Sequence, residues 1–276
     1  MESNQIKITP YCPNIGAVIT GIDLTSKVNE RALKKIKQAF LDYQVLFFKN
    51  QHEISPENHI LFGKNFGQLH SHPAAPNMPG YPEIFEIHAH KNSKVANGEF
   101  WHSDVSCDTK PPLGTMLQIH IIPESGGDTL FSNMTLAYNK LSQPFKEFLL
   151  NLTAVHESEH IYRGRYTDRG VDESIIQYPR STHPVIRTHP ETGKKSIFVN
   201  RTFTTRINEL SDFESNSLLS FLFNYCEKLD FQIRYKWSLN DLVFWDNRCT
   251  MHRAVWDYWP MERKGRRVTI KGGKPY

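Results

Sequence analysis

The chain has 276 residues, of which 39% are hydrophobic, 12% aromatic and 22% charged, which is enough apolar material for a folded core and excludes an intrinsically disordered chain. A transmembrane helix needs about 18 or more consecutive apolar residues without charges, and no such run is present. The net charge of +4 is too small and too scattered to indicate nucleic-acid binding.

The first 70 residues predict a mixture of strands and helices. Apolar residues at helical spacing predict a helix over 28–43. Ser55 followed by Pro56 is a typical helix start, with an N-cap serine and a proline at the first helical position. Short apolar runs predict strands at 6–8, 17–20 and 45–48.

The middle of the chain is rich in turns. Prolines break up residues 70–83, which predicts a loop over a site. Short strands are predicted near 84–87 and 115–119, and two short helices within 133–152. Residues 156–182 form a long polar stretch, which is typical of a lid.

The last third returns to strands. Ser211 and Glu214 form the pattern of a capping box, which predicts a helix over 212–228. No repeat or linker is visible, so we predict a single domain over residues 1–276, mainly β with flanking helices, with loop or lid insertions near 70–100 and 156–182. Strands are predicted at 196–199, 231–235, 242–245 and 267–270.

The cysteines and the N-terminus indicate the compartment. The start of the chain lacks the basic and apolar segments of a secretory signal. The four cysteines form no C-x-x-C pair, which predicts reduced thiols in a cytoplasmic protein. They are Cys12, Cys107, Cys226 and Cys249.

The first candidate site is His102-Ser103-Asp104. In an extended chain, residues i and i+2 point to the same face, so both side chains could reach one metal. A second histidine would complete a facial triad of two histidines and one carboxylate, which suits non-haem Fe(II) oxygenases. A lone H-x-D is more often structural.

A second group of residues near the C-terminus strengthens this candidate. His252 is followed by Arg263 and Arg267, and in a strand over 263–270 the two arginines share a face with Gly265. Two guanidinium groups in one cavity are costly unless they meet anions, and arginine binds carboxylate, sulfonate or phosphate with two parallel hydrogen bonds. The alternative is that each arginine pairs with a surface acid.

These residues resemble the taurine dioxygenase (TauD/TfdA) family of Fe(II)/2-oxoglutarate-dependent dioxygenases. The His102-x-Asp104 pair, His252 and Arg263 have the family's order and spacing, and similar segments run almost from end to end. The resemblance implies a double-stranded β-helix, or jelly-roll, core. The other similar segments include 15–17 with 21–24, 66–73, 126–130, 183–190, 198–200, 245–248 and 273–275.

The resemblance implies roles for the site residues. His102, Asp104 and His252 are expected to hold Fe(II), which 2-oxoglutarate chelates and where O2 binds. Arg263 is expected to pair with the distal carboxylate of 2-oxoglutarate, with the hydroxyl of Thr129 as a second donor. The implied reaction releases succinate and CO2 and oxidises a C–H bond of the substrate.

The same resemblance places Arg267, His72, Val105 and Tyr162 at the primary substrate. Arg267 matches the position that binds the anionic group, and His72 matches a histidine that assists it in sulfonate-using members. A small substrate with a sulfonate, sulfate ester, phosphonate or carboxylate group is therefore expected.

Several positions depart from the taurine enzyme. Ala75 replaces an aromatic residue, Gly98 replaces an amide side chain, and Tyr162 stands where phenylalanine is expected. These changes predict a larger or differently polar pocket for the part of the substrate beyond its anion. Arg163 and Arg165 are candidates either for a second anion contact or for surface pairs with Asp168 or Glu173.

Two alternative functions remain open at this level. One is a biosynthetic oxygenase that acts on an amino-acid-derived intermediate, and the other is a non-catalytic module that binds a metal and 2-oxoglutarate. Neither a nucleic acid nor a membrane is expected as a partner. The predicted helices at 28–43 and 212–228 are candidates for contacts in a homo-oligomer.

Overall fold

The fold is described by a computed structural model for residues 6–71, 77–167, 170–172, 174 and 176–276. These residues form four sheets and six α-helices, and two of the sheets face each other in the core. The helices are α1 (Glu30–Tyr43), α2 (Pro56–Lys64), α3 (Met134–Lys140), α4 (Gln143–Leu149), α5 (Glu159–Tyr162) and α6 (Asp212–Cys226). The strands are β1 (Lys7–Pro10), β2 (Ala17–Thr20), β3 (Val45–Phe48), β4 (Leu69–His70), β5 (Ile84–Ala89), β6 (Gly114–Ile121), β7 (Thr129–Asn133), β8 (Thr153–Glu157), β9 (Arg180–Pro184), β10 (Ile186–Thr188), β11 (Lys195–Ile197), β12 (Thr204–Ile207), β13 (Gln232–Tyr235), β14 (Leu242–Asp246), β15 (Thr250–Ala254) and β16 (Arg263–Ile270).

The larger sheet has eight strands in the order β1-β2-β3-β14-β6-β16, and β16 pairs further with β4 and β5. All of these pairs are antiparallel except β2 with β3. A smaller antiparallel sheet has the order β13-β7-β15. The faces of these two sheets build the jelly-roll core, which confirms the predicted fold class.

Alternation along the strands explains the two layers of this core. In β3, Val45 and Phe47 pack toward the smaller sheet, where Phe47 stacks on Tyr235 with ring centroids 4.0 Å apart. Leu46 and Phe48 belong to the cluster on the opposite face, which includes residues of α1 and α2. A strand buried on both faces reads as a continuous apolar run, as 45–48 does.

Helices α3, α4 and α6 pack with strands β8, β10 and β11 in a third cluster, which also includes Met251 of the smaller sheet. Helix α6 begins at the predicted capping box, because the Ser211 hydroxyl accepts from the Glu214 backbone and the Glu214 side chain accepts from the Ser211 backbone. Among the described residues, no helix is long and apolar enough to cross a membrane.

The segment predicted as a polar excursion over 156–182 is partly strand. Its two flanks lie in β8 and β9, which pair with each other in antiparallel register, and α5 lies between them. The pairing joins residues distant in sequence, so neither strand has a strong local pattern. This arrangement places α5 against the site described below.

Candidate active site

Backbone pairing brings His102 and His252 together. His252 lies in β15, and the two residues exchange backbone hydrogen bonds of 3.0 and 2.8 Å, which places their ring centroids 4.1 Å apart. The chain does not continue as an extended strand to Asp104, because a turn begins there and Val105 has a φ of 43°. This turn, rather than strand alternation, directs the Asp104 side chain toward the histidines.

The three side chains form a compact, buried group. Oδ1 of Asp104 lies 3.7 Å from Nε2 of His102 and 3.9 Å from Nε2 of His252. The Nδ1–H of His102 donates to the Phe100 carbonyl over 2.8 Å, which directs the Nε2 lone pair toward this group. The ligand atoms of all three residues lie within 4.8 Å of one another, a separation that one metal ion can bridge.

Electrostatics prepares these side chains as ligands. Burial would raise the pKa of Asp104, but the nearby Arg267 and histidines outweigh it and hold the pKa well below its ordinary value. Burial and the neighbouring His102 lower the pKa of His252 well below its ordinary value. The set therefore offers a carboxylate and an unprotonated imidazole, which is the donor chemistry of a divalent transition-metal site.

Asp104 has further partners that the sequence analysis missed. Thr115 donates to Oδ2 over 2.6 Å, Arg267 donates to Oδ1 over 2.8 Å, and the Asn247 side chain accepts from the Asp104 backbone N–H over 3.3 Å. The sequence gives only weak signals that Thr115 and Asn247 contact Asp104. Thr115 is a hydroxyl residue in an apolar strand, and Asn247 follows the Trp245-Asp246 pair.

Arg263 is a buried cation whose guanidinium lies over the Trp237 ring, 5.5 Å from its centroid. Its side chain comes from β16 and is 4% exposed, and its Nε and Nη2 have no hydrogen-bond partner among the described residues. Burial lowers its pKa from the ordinary value. A buried guanidinium without an acid is costly, so this position fits the carboxylate of a bound molecule.

Thr129 lies beside Arg263 in a narrow cleft, the inner cleft, which also includes His252, Trp245 and Leu117. The Thr129 hydroxyl accepts a 2.9 Å hydrogen bond from Nε1–H of Trp237. Because this bond uses an oxygen lone pair, the hydroxyl proton remains for another acceptor. Trp237, like Thr115 and Asn247, is a contact of this site that the sequence analysis missed.

A wider cavity of about 310 Å³, the outer pocket, is lined by His102 and Asp104 of the metal-ligand group. Val105, Tyr162 and Arg267 line it, as the resemblance implies. His72 and Ala75 lie outside the described residues. The inner cleft and the outer pocket share the lining residues Phe85, Asn97, Gly98, His102 and Arg267.

Gly98 lies close to the imidazole of His102 and has no side chain between its backbone and the ring. It has a φ of +80°, and a Cβ at this position would lie 3.1 Å from Cε1 of His102. A side chain here would therefore be strained and would crowd the imidazole. The glycine leaves this part of the wall open.

The two arginines of the 163–165 segment have different environments. Arg163 is exposed and pairs with Glu159. Arg165 lines the outer pocket, where it donates to the Ala96 carbonyl over 2.9 Å and to the Asn97 side chain. Their predicted alternative partners, Asp168 and Glu173, lie outside the described residues.

A second buried group, His189, Asp246 and Cys249, also has metal-ligand atoms close together. The Asp246 carboxylate is already bound by Nε and Nη2 of Arg248 and by Nε2–H of His189. Burial and Asp246 raise the pKa of Cys249 well above its ordinary value, so this residue is a thiol. The group is therefore a structural ion-pair network.

Comparison with known proteins agrees with this geometry. The family described as "Taurine catabolism dioxygenase TauD, TfdA family" matches residues 7–269. An alkylsulfatase of Acinetobacter baylyi is 34% identical and covers 98% of this chain and 86% of its own. An alpha-ketoglutarate-dependent sulfonate dioxygenase of Saccharomyces cerevisiae is 33% identical, with 98% and 68% covered. A solved taurine dioxygenase from Burkholderia xenovorans is 32% identical, with a TM-score of 0.84 and 98% and 90% covered.

Proposed function

The chain belongs to the TauD, TfdA family of dioxygenases, and on that basis we propose that it oxidises a C–H bond of a small sulfonate or sulfate ester, using Fe(II), 2-oxoglutarate and O2. The observation that carries the proposal is the pairing of a His, Asp, His group with a buried Arg263 that lacks an acidic partner among the described residues. A metal ion in the His, Asp, His group and the buried guanidinium of Arg263 together fit a dicarboxylate. One end of such a molecule would chelate the metal, and its other carboxylate would pair with the guanidinium.

We assign each residue a role from its chemistry. His102, Asp104 and His252 hold Fe(II), which, together with 2-oxoglutarate and O2, supplies the oxidation of the substrate and the release of succinate and CO2. Arg263 binds the distal carboxylate of 2-oxoglutarate, and the Thr129 hydroxyl donates to the same group. The apolar walls of the inner cleft exclude water from these contacts and strengthen them.

Arg267 is the proposed anion contact of the primary substrate. It lines both cavities, and its Nε has no hydrogen-bond partner among the described residues. It lies 5.1 Å from the Phe85 ring, so an apolar wall and a cation meet at the same point of the outer pocket. A sulfonate or sulfate oxygen bound here would place the adjoining carbon near the metal ligands.

The rest of the outer pocket supports a substrate with an apolar chain. Aromatic and aliphatic side chains form much of its lining. The relatives include an alkylsulfatase and a sulfonate dioxygenase, both of which act on organosulfur anions by name. We propose a small alkyl sulfate or alkylsulfonate. The apolar lining residues are Phe85, Val95, Phe100, Val105, Ile161, Tyr162, Tyr166 and Phe203.

Succinate formation tests the proposal directly. Purified protein is supplied with Fe(II), ascorbate, O2 and 2-oxoglutarate, together with alkyl sulfates, alkylsulfonates, taurine, phosphonates or amino acids. We expect sulfates or sulfonates with alkyl chains to raise succinate well above the background without substrate, and Asp104→Ala to abolish this increase. Stimulation by amino acids alone would favour the biosynthetic alternative. Absence of both succinate and iron binding would favour a non-catalytic binding module.

A further inference from the structure

The two oxygens of the Asp104 carboxylate have different surroundings. Oδ1 faces the Nε2 atoms of His102 and His252 and accepts from Arg267. Oδ2 is turned into the protein, where the hydroxyl of Thr115 donates to it over 2.6 Å. Asp104 is 2% exposed and Thr115 is fully buried, so water does not compete for this bond.

Asn247 determines the direction of the Thr115 hydroxyl. Its Nδ2–H donates to Thr115 Oγ1 over 3.0 Å, which leaves the hydroxyl proton for Asp104. The orientation of the amide is itself fixed, because its Oδ1 accepts from Nε1–H of Trp245 over 3.1 Å, and an indole nitrogen only donates. In the chain of hydrogen bonds from Trp245 through Asn247 and Thr115 to Asp104, each donor and each acceptor is therefore fixed.

The residues on either side of Asn247, Asp246 and Arg248, are held in place by hydrogen bonds. Asp246 accepts from the backbone and guanidinium of Arg248 and from Nε2–H of His189 at 3.0 Å. Both oxygens of Asp246 are bound, and the whole group is buried. The segment 183–190, which the sequence analysis left without a chemical role, thus supplies a brace for the loop through His189.

We infer that Thr115, oriented by Asn247, is a positioning residue that reserves Oδ2 of Asp104, so that the carboxylate would offer only Oδ1 to iron. A carboxylate can coordinate a metal through one oxygen or two, and a second bond would occupy a position that 2-oxoglutarate or O2 needs. Loss of a hydrogen-bond partner of a metal ligand typically lowers metal affinity or activity by about 10- to 100-fold. The inference rests on the proposed function, because it assumes that the site holds Fe(II) and binds 2-oxoglutarate.

Two pairs of variants isolate the hydroxyl. The first pair compares the wild type with Thr115→Val, and the second compares Thr115→Ser with Thr115→Ala. Within each pair the second protein lacks the hydroxyl, while the shape of the side chain is nearly the same. If the valine variant does not fold, the serine and alanine variants provide the same comparison. Thr135→Val is the matched control, since it removes a buried hydroxyl that bonds to Ser196 and not to the site.

The readouts are the visible spectrum of each Co(II)-loaded protein and its affinity for 2-oxoglutarate, both measured without turnover. We expect loss of the hydroxyl to change the Co(II) spectrum and to weaken 2-oxoglutarate binding by at least about tenfold. Thr115→Ser should retain both properties within about threefold, and Thr135→Val should match the wild type. Variants without the hydroxyl that keep the wild-type spectrum and affinity would overturn the inference. If the wild type binds neither Co(II) nor 2-oxoglutarate, the proposed function fails instead.

Discussion

Arg263 and Arg267 lie on one face of the same strand but meet different surroundings. Arg263 faces the inner cleft beside Thr129, whereas Arg267 reaches both cavities and donates to Asp104. Gly265, between them, is needed because a Cβ there would lie 2.5 Å from the Gln118 carbonyl oxygen of the neighbouring strand. The close approach of β16 to β6 thus positions both cations.

Substitution of each arginine should separate the two binding events. At saturating Fe(II), Arg263→Gln should raise the KM for 2-oxoglutarate roughly 30- to 1,000-fold, since loss of one partner of a buried charge pair costs about 2–4 kcal/mol. Arg267→Gln should have its larger effect on the KM of the primary substrate. Steady-state rates against each ligand provide the measurement, and equal effects of both variants on both ligands would contradict the assigned roles.

Trp237 donates to the Thr129 hydroxyl, so under the proposed roles we expect it to affect 2-oxoglutarate binding. Trp237→Phe removes the donor to the Thr129 hydroxyl, so the hydroxyl loses its fixed orientation. We expect the KM for 2-oxoglutarate to rise about fivefold, corresponding to about 1 kcal/mol for one hydrogen bond. Trp259→Phe is the control, since Trp259 is 60% exposed and donates to the Lys91 carbonyl. An unchanged KM in Trp237→Phe would rule out this role.

At the scale of secondary-structure elements, local signals determine the helix ends. Asn29 caps α1 by accepting from the Ala32 backbone, and Ser55 caps α2 in the same way from Asn58. These short polar side chains satisfy backbone donors at the first helical turn, so helix starts are visible in a few neighbouring residues. Strands β8 and β9 lack such a local signal, because the backbone groups of each strand find their hydrogen-bond partners in a segment distant in sequence.

The capping box of α6 provides a stability prediction at this scale. Ser211→Ala should lower the free energy of unfolding by about 1 kcal/mol, because the Glu214 backbone N–H loses its acceptor. Urea unfolding measures the change. Ser217→Ala removes an exposed hydroxyl from the interior of the same helix and should have a smaller effect. An equal loss in both variants would show that the cap contributes nothing specific.

For the whole molecule, buried histidines couple folding to pH. Burial, with His120 and Arg266 nearby, lowers the pKa of His59 to about 3. Burial and His183 lower the pKa of His156 to about 3. Both side chains are therefore neutral in the folded protein at pH 5, whereas in the unfolded chain they bind protons below about pH 6.5. Since the unfolded state binds more protons, stability decreases as pH falls from about 6.5 toward 3.

We therefore expect the metal-free protein to lose about 2 kcal/mol of stability per buried histidine between pH 7 and pH 5. Urea unfolding at the two pH values, with a chelator present, measures the loss. His59→Leu should reduce the loss by about 2 kcal/mol, while His52→Gln, at an exposed position, should retain the wild-type difference. A His59→Leu variant with the full wild-type pH dependence would show that His59 does not contribute.

Features that depend on near neighbours in the chain can be predicted from local sequence patterns. The helix predicted over 212–228 (α6, Asp212–Cys226), the apolar strand at 45–48 and the shared face of Arg263 and Arg267 follow from caps and from side-chain periods of 3.6 and 2.0 residues. Together with the family resemblance, these patterns were sufficient to predict the β-rich fold and the reaction class.

Contacts between side chains that are distant in sequence depend on the tertiary fold. The pairing of His102 with His252, the bond from Thr115 to Asp104 and the bond from Trp237 to Thr129 each join residues far apart in sequence. Strand order and register create these contacts, and no local propensity records them. A local pattern specifies which face of a strand is buried, whereas the packing of two sheets specifies which residues that face contacts.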